Sequence, residues 1–183
     1  MNEEKVIGCN EINLNDYELI NIIGRGGYAD VFRVKEKKTG NYFALKVYRY
    51  DEPEIHKDVI NGIKISNLNV PGLVKTIGYC LAHKQSFILG NGKHLTIDGD
   101  VIAMKLYPNN DVSNIIKNYL KTSGSDRKIM NPTIRSKIIF GVSSIMKQLH
   151  EKKILYRSLK IQNILLNEDN EPMISDFEHS KFI

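Results

Sequence analysis

The chain has 183 residues, 42% of them hydrophobic, so it can bury a core and is too apolar to be disordered. Its 26 Lys and Arg residues outnumber 21 Asp and Glu residues, but these charges are interspersed and form no basic stripe of the kind that binds nucleic acid. Two cysteines, Cys9 and Cys80, are too few for a disulfide framework and show no metal-ligand spacing.

The first ten residues, MNEEKVIGCN, carry acidic side chains where a secretory signal would be basic. No apolar run along the chain reaches membrane-spanning length. We therefore interpret residues 1–16 as an N-terminal leader and expect a soluble, cytoplasmic protein with no membrane anchor and no nucleic-acid partner.

Three predicted strands joined by tight turns follow the leader: YELINIIG, YADVFRVKEK and NYFALKVYRY. The turn between the first two, from Gly24 to Val31, reads GRGGYADV. Glycines allow backbone N–H groups to approach phosphate oxygens closely, although any hairpin can carry glycines. Lys46 lies in the third strand between Ala44 and Val47, in apolar surroundings that are unusual for a solvent-facing lysine.

A helix is predicted after Pro53 and ends before the Val70-Pro71-Gly72 turn. Two further strands are predicted in LVKTIGYCLA and DVIAMKLY, and a hairpin with an Asn91-Gly92 turn is inserted between them. Asp111 is a candidate N-cap for a short helix over VSNIIKNYL.

A long helix is predicted to begin near Pro132. Its apolar residues recur at three- and four-residue steps, which predicts a stripe that faces a core: Ile134, Ile138, Val142, Ile145, Met146 and Leu149. After this helix comes YRSLKIQNILL, from Tyr156, and then Asp176-Phe177-Glu178.

In order and spacing, these features resemble the protein kinase family, whose motifs are the glycine-rich loop G-x-G-x-x-G-x-V, V-A-I-K, H-R-D-L-K-x-x-N and D-F-G. Lys160 in the third motif is typical of the Ser/Thr branch. The resemblance implies an α+β, two-lobed kinase-like fold. Residues 17–105 would form an N-lobe with an antiparallel sheet and one helix, and residues 106–183 would form the hinge and an incomplete helical C-lobe.

The resemblance also implies a binding site for ATP and Mg²⁺. Asn163 and Asp176 would ligate the metal, and Lys160 would reach the γ-phosphate as a catalytic residue. The positions matched to nucleotide contacts are Ile23, Gly24, Gly26, Val31, Ala44, Lys46, Met104, Lys105, Tyr107, Asp111 and Leu165.

Five positions depart from the family pattern. Ala29 stands at the third glycine of the loop, where its methyl is expected to be tolerated, and Tyr156 stands at the histidine of H-R-D. The other three bear on the chemistry. Ser158 stands where the catalytic aspartate accepts the substrate proton, Glu178 replaces the glycine of D-F-G, and Asn61 stands where a helix glutamate pairs with the lysine. A serine cannot act as a general base near neutral pH, and such a base typically contributes about 10²- to 10⁴-fold to the rate. We therefore expect ATP binding with weak or absent phosphotransfer, as in a pseudokinase.

Two alternatives remain open from the sequence: an interaction module that uses the kinase-like fold without nucleotide, and an active Ser/Thr kinase with rearranged catalytic residues. No activation segment or A-P-E motif follows Glu178. We expect either a truncated gene product or a segment completed by a protein partner, which would cover an apolar face of the long helix.

Overall fold

The computed structural model describes residues 9–50, 52–81, 85–88, 94–107, 111–121 and 131–183. The chain divides into two compact units: Met1–Asn67 with Lys75–Leu106, and Leu68–Val74 with Tyr107–Ile183. Both units mix helices and strands, so the α+β class expected from the sequence is confirmed. No helix in the described ranges is long and apolar enough to cross a membrane.

The first unit contains eight described strands and one helix. The strands are β1 (Asn10–Glu11), β2 (Tyr17–Arg25), β3 (Ala29–Glu36), β4 (Tyr42–Tyr48), β5 (Thr76–Cys80), β6 (Gln85–Ile88), β7 (His94–Ile97) and β8 (Val101–Lys105). Six of them form one sheet in the order β1-β5-β8-β4-β3-β2, in which only the β1–β5 pair is parallel. The predicted meander and the inserted β6–β7 hairpin are confirmed, and the hairpin turn lies outside the described residues.

Part of the predicted leader belongs to this sheet. Glu11 pairs with Tyr79 of β5, and Leu14, in a short 3₁₀ helix, is almost completely buried beside Val34, Leu45 and other residues of the sheet. The apolar residues of the leader were too few to predict this packing from periodicity.

The helix α1 (Pro53–Ser66) begins with Pro53 in its first turn, where the missing backbone N–H costs nothing. Its buried face packs Val59 and Ile63 against Tyr79 and Ile102 of the sheet. Near its start, the Nδ1 atom of His56 lies 3.0 Å from the carboxylate of Asp100, which is buried just before β8. Apolar packing and this polar contact together fix α1 on the sheet.

The second unit contains α2 (Val112–Lys121), α3 (Pro132–Glu151), β9 (Ile154–Leu155), β10 (Ile164–Leu166), β11 (Pro172–Ile174) and β12 (Lys181–Phe182). β10 pairs with β11, and β9 pairs with β12, both antiparallel. The α3 start is as predicted, because Asn131 accepts a hydrogen bond from the backbone N–H of Ile134 at 2.9 Å and Pro132 follows it.

Residues 68–74, predicted to lie in the N-lobe, cluster with the second unit. Val74 N–H donates to the carbonyl of Ile174 (2.8 Å), and Ile174 N–H donates to the carbonyl of Gly72 (2.7 Å). Gly72 has a φ of +87°, and a Cβ there would lie 2.7 Å from Cγ1 of Ile145. Only glycine fits both conditions without strain.

The apolar stripe of α3 faces the core at Ile138, Ile145 and Leu149, as predicted. α3 contacts β9 and β11 of the second unit. The apolar side chains of α3 that are exposed lie beside the stripe, at Ile139 (64% exposed) and Phe140 (74% exposed).

Candidate functional site

The glycine turn of the first unit is a tight loop between β2 and β3. Gly26 N–H donates to the carbonyl of Ala29 at 2.9 Å, and Gly24 pairs with Val31. A Cβ on Gly26 would press against that carbonyl at 3.2 Å. Ile23 is exposed where β2 reaches the turn. The turn therefore has a defined backbone conformation with little side-chain bulk at Gly26.

Lys46 lies beside this turn within the sheet. It is opposite Val31 of β3 on one side and Ile102 of β8 on the other, so the sheet places Lys46 beside the last residue of the glycine turn. Its Nζ atom lies 5.1 Å from the centroid of the Tyr48 ring. A cation near an aromatic face is stabilised by the ring quadrupole, and no motif in the sequence predicts this contact.

Ala44 and Met104 are paired across β4 and β8, and Ala44 is buried. Lys105, at the end of β8, pairs with Phe43 and is exposed. The sheet thus brings Ala44 next to Met104 and carries Lys105 at its margin.

In the second unit, Asp111 caps α2. Its two carboxylate oxygens accept hydrogen bonds from the backbone N–H (2.9 Å) and the side-chain amide (2.7 Å) of Asn114, so its predicted N-cap role is confirmed. A backbone bridge also joins Asp111 to Leu165 of β10. Tyr107 is half-buried, and burial raises the pKa of its phenol.

The segment after β9 brings Asn163, Asp176 and Lys160 together. Asn163 is buried, and its side-chain amide donates to the carbonyl of Ser158 (2.9 Å) and to the carboxylate of Asp176 (3.1 Å). Nζ of Lys160 lies 3.8 Å from the same carboxylate oxygen. The amide therefore fixes the Asp176 carboxylate relative to the Ser158 backbone.

Asp176 of this cluster and Arg157, next to Ser158, have left-handed backbone conformations. Asp176 has a φ of 68° and Arg157 a φ of 62°. Such conformations cost of order 1–3 kcal/mol for a residue with a Cβ and persist only where surrounding contacts enforce them. Ser175, next to Asp176, supplies such contacts, because both its backbone N–H (3.0 Å) and its hydroxyl (3.2 Å) donate to the carbonyl of Asn163.

Tyr156, which did not match the family histidine, is buried beneath this cluster. Its hydroxyl donates to the carbonyl of Ser175 at 2.5 Å, and its ring centroid lies 5.4 Å from that of Phe177. Burial is the main cause that raises the pKa of the Tyr156 phenol, and the nearby carboxylates of Asp176 and Glu178 raise it further. The hydroxyl therefore keeps its proton and remains a hydrogen-bond donor.

The donor set at Asp176 suits Mg²⁺ better than a transition metal. Mg²⁺ prefers oxygen ligands and is usually held by one or two protein groups, with water and phosphate completing its shell. Asp176 and Asn163 supply a carboxylate and an amide oxygen within one cluster. In the described part of the chain, no group of three or more His, Cys, Asp or Glu side chains converges, and such a group is what a transition-metal site usually has.

Comparison with known proteins identifies the class. The family model for the protein kinase domain matches residues 17–183, which is most of the chain. This chain therefore belongs to the protein kinase domain family.

Relatives within the family include Ser/Thr kinases at low identity. Protein kinase 2 of Dictyostelium discoideum is 33% identical over 171 residues, which is 92% of this chain and 32% of that protein. Aurora kinase of Saccharomyces cerevisiae is 26% identical over 91% of this chain and 40% of its own length. Serine/threonine-protein kinase AtPK1/AtPK6 of Arabidopsis thaliana is 25% identical over 93% of this chain and 33% of its own length. The chain thus spans less than half the length of each of these relatives.

Proposed function

We propose that this chain binds ATP with Mg²⁺ and transfers phosphate weakly or not at all. By their positions in the kinase motifs, the glycine turn, Lys46, Asn163 and Asp176 would contact the nucleotide and its metal. ATP and Mg²⁺ supply the reactive phosphoryl group and the charge that neutralises it; the chain supplies groups that hold and orient them.

The observation that carries this proposal is the hydrogen bond from Asn163 to Asp176 at 3.1 Å, with Lys160 3.8 Å from the same carboxylate. A structural carboxylate would gain little from a left-handed backbone, since that conformation costs stability. A carboxylate held in this way beside an amide and a lysine is suited to a metal–phosphate ligand. The family membership of residues 17–183 supports the same role.

Weak turnover follows from the residue at position 158. Ser158 carries a hydroxyl in place of the carboxylate that accepts the substrate proton, and general-base catalysis supplies about 10²- to 10⁴-fold in rate. The remaining contributions to phosphoryl transfer are positioning and charge stabilisation, and these do not need the base. Binding and turnover are therefore separable in this chain.

Calorimetric titration with ATP tests the proposal, with and without Mg²⁺. The wild-type chain should bind ATP, and Lys46→Ala should weaken that binding, because the lysine charge toward the phosphates is lost. Arg33→Ala is a matched cationic control, since Arg33 lies on β3 with its guanidinium 4.3 Å from the Tyr42 ring centroid. No heat of binding and no thermal stabilisation at millimolar ATP-Mg²⁺ would refute the proposal.

A protein-interaction function without nucleotide is the second candidate, and the exposure of Ile139 and Phe140 on α3 favours it. Adjacent exposed apolar side chains commonly mark an interaction surface. On this hypothesis, Phe140→Glu should abolish association with a copurifying protein, and Lys46→Ala should leave it unchanged. The opposite pattern would favour the nucleotide function.

A further inference from the structure

Arg49 contacts the glycine turn from the segment that follows β4. Its Nη2 atom lies 2.6 Å from Oδ1 of Asp30, and its Nε atom lies 3.3 Å from Oδ2. The guanidinium therefore meets the carboxylate as a two-pronged fork, which is the strongest geometry for this pair.

The same side chain also contacts the backbone of the turn. Nη1 of Arg49 donates to the carbonyl of Gly27 at 3.4 Å, and the backbone N–H of Arg49 donates to the carbonyl of Tyr28 at 2.9 Å. Arg49 thus contacts three successive parts of the turn, at Gly27, Tyr28 and Asp30. Arg49 lies outside the kinase motifs of this chain.

We propose that Arg49 is a positioning residue that holds the glycine turn, through Asp30 and the Gly27 carbonyl, in the conformation that receives the phosphates of ATP. This inference rests on the proposed nucleotide function. The Arg49 and Asp30 side chains are 39% and 23% exposed, and exposed ion pairs contribute little to global stability. The effect of the fork is therefore expected on the turn, with little effect on the folding of the whole unit.

The first measurement needs no nucleotide. Amide hydrogen exchange of Gly26 and Arg49 reports directly on the turn, because these N–H groups donate to Ala29 and Tyr28. Arg49→Ala should accelerate exchange at both amides about three- to tenfold, while amides in the middle of β4 stay unchanged. Arg33→Ala removes a cation from the neighbouring strand without touching the turn and should leave all of these rates unaltered.

The second measurement separates phosphate recognition from adenine recognition. Arg49→Ala should weaken ATP about three- to tenfold and leave adenosine affinity unchanged, because only the phosphates meet the turn. Arg49→Lys keeps the charge but not the fork, so its ATP affinity should lie between those of the wild type and Arg49→Ala. The double variant Asp30→Arg/Arg49→Asp, in which the two charges are swapped, should recover part of the lost ATP affinity. If Arg49→Ala does not fold, Asp30→Ala removes both acceptors of the fork and carries the same tests.

The outcomes are distinguishable. If exchange in the turn is unchanged in Arg49→Ala, or rises equally throughout the sheet, the inference is overturned whether or not ATP binds. An equal loss of ATP and adenosine affinity also overturns it and leaves the proposed function standing. A wild-type chain that binds no ATP would overturn both.

Discussion

The hydroxyl of Tyr156 donates a hydrogen bond to the backbone carbonyl of Ser175, the residue directly before Asp176. Because Tyr156 is buried and its ring packs against Phe177, this bond supports the strained Asp176 backbone from below. We predict that Tyr156→Phe loses about 1–3 kcal/mol of unfolding free energy, because the carbonyl of the half-buried Ser175 loses its donor. Urea denaturation measures the change, and Tyr50→Phe, at an exposed phenol, is the control that should stay near wild type.

Ionisation of the Tyr156 phenol should also make the stability of the chain depend on pH. Its pKa is raised by burial above the ordinary value of 10.0, so above about pH 10 the unfolded chain releases this proton before the folded chain does. The unfolded state then binds fewer protons, and the unfolding free energy falls as pH rises. Tyr156→Phe lacks this ionisation. Its unfolding free energy should therefore fall less steeply with pH, by up to about 1.36 kcal/mol per pH unit. Equal slopes for wild type and variant between pH 9.5 and 11 would contradict the prediction.

Asp176→Asn should remove the Mg²⁺ dependence of ATP binding while preserving the fold. Asparagine has the same size and tolerates a left-handed backbone, so the φ of 68° is retained. We expect the gain in ATP affinity on adding Mg²⁺ to fall by about tenfold or more, which corresponds to roughly 1.4 kcal/mol. Asp169→Asn, in the exposed turn between β10 and β11, should show the wild-type response.

Ser158→Asp should increase phosphate transfer. The side chain at this position can change without disturbing the cluster, because Asn163 bonds to the backbone carbonyl of Ser158. A restored carboxylate base is worth up to about 10²- to 10⁴-fold, and radiolabelled transfer from ATP to a generic protein substrate measures it. Ser158→Asn has the same shape without the base. Equal rates for the two variants would show that the missing base does not limit transfer.

Gly141→Ala should destabilise the second unit, although alanine is the better helix former. In a helix interior this substitution ordinarily stabilises by roughly 0.5–1 kcal/mol. Here the new methyl would lie 2.8 Å from Cδ of Pro172 on β11, and overpacking of this kind typically costs 1–3 kcal/mol. Thermal denaturation should show a lower Tm for Gly141→Ala than for the wild type. The control Ser144→Ala, on the exposed side of α3, should have a slightly higher Tm. Combining Pro172→Ala with Gly141→Ala should recover part of the lost Tm, because the clashing ring is removed.

The sequence predicted the elements whose signals are local. The alternation of apolar and polar residues predicted the strands around Lys46. The pair Asn131-Pro132 predicted the start of α3 to within one residue. Motif order predicted that Asn163 and Asp176 act together, although Asn163 ends a short 3₁₀ helix and Asp176 follows β11. Periodicity and motif spacing are properties of short windows, and these features depend on them.

Features that depend on long-range packing were not predicted. The Arg49–Asp30 fork joins a residue just after β4 to a residue of β3, and opposite charges at such positions are too common to single it out. The role of Tyr156 depends on Ser175, which is distant in sequence. Ile139 and Phe140 lie next to the stripe of α3, and their exposure is decided by which strands cover the helix.

The hydrogen bonds of residues 72–74 with Ile174 determine which fragments of the chain can contain a whole unit. The second unit contains a short strip of chain that the gene encodes between α1 and β5, far upstream of the rest of that unit. A recombinant piece that starts at Tyr107 would lack Gly72 and Val74, leaving the N–H and carbonyl of Ile174 without the hydrogen bonds they make in the intact chain. No single cut in the polypeptide releases either unit whole.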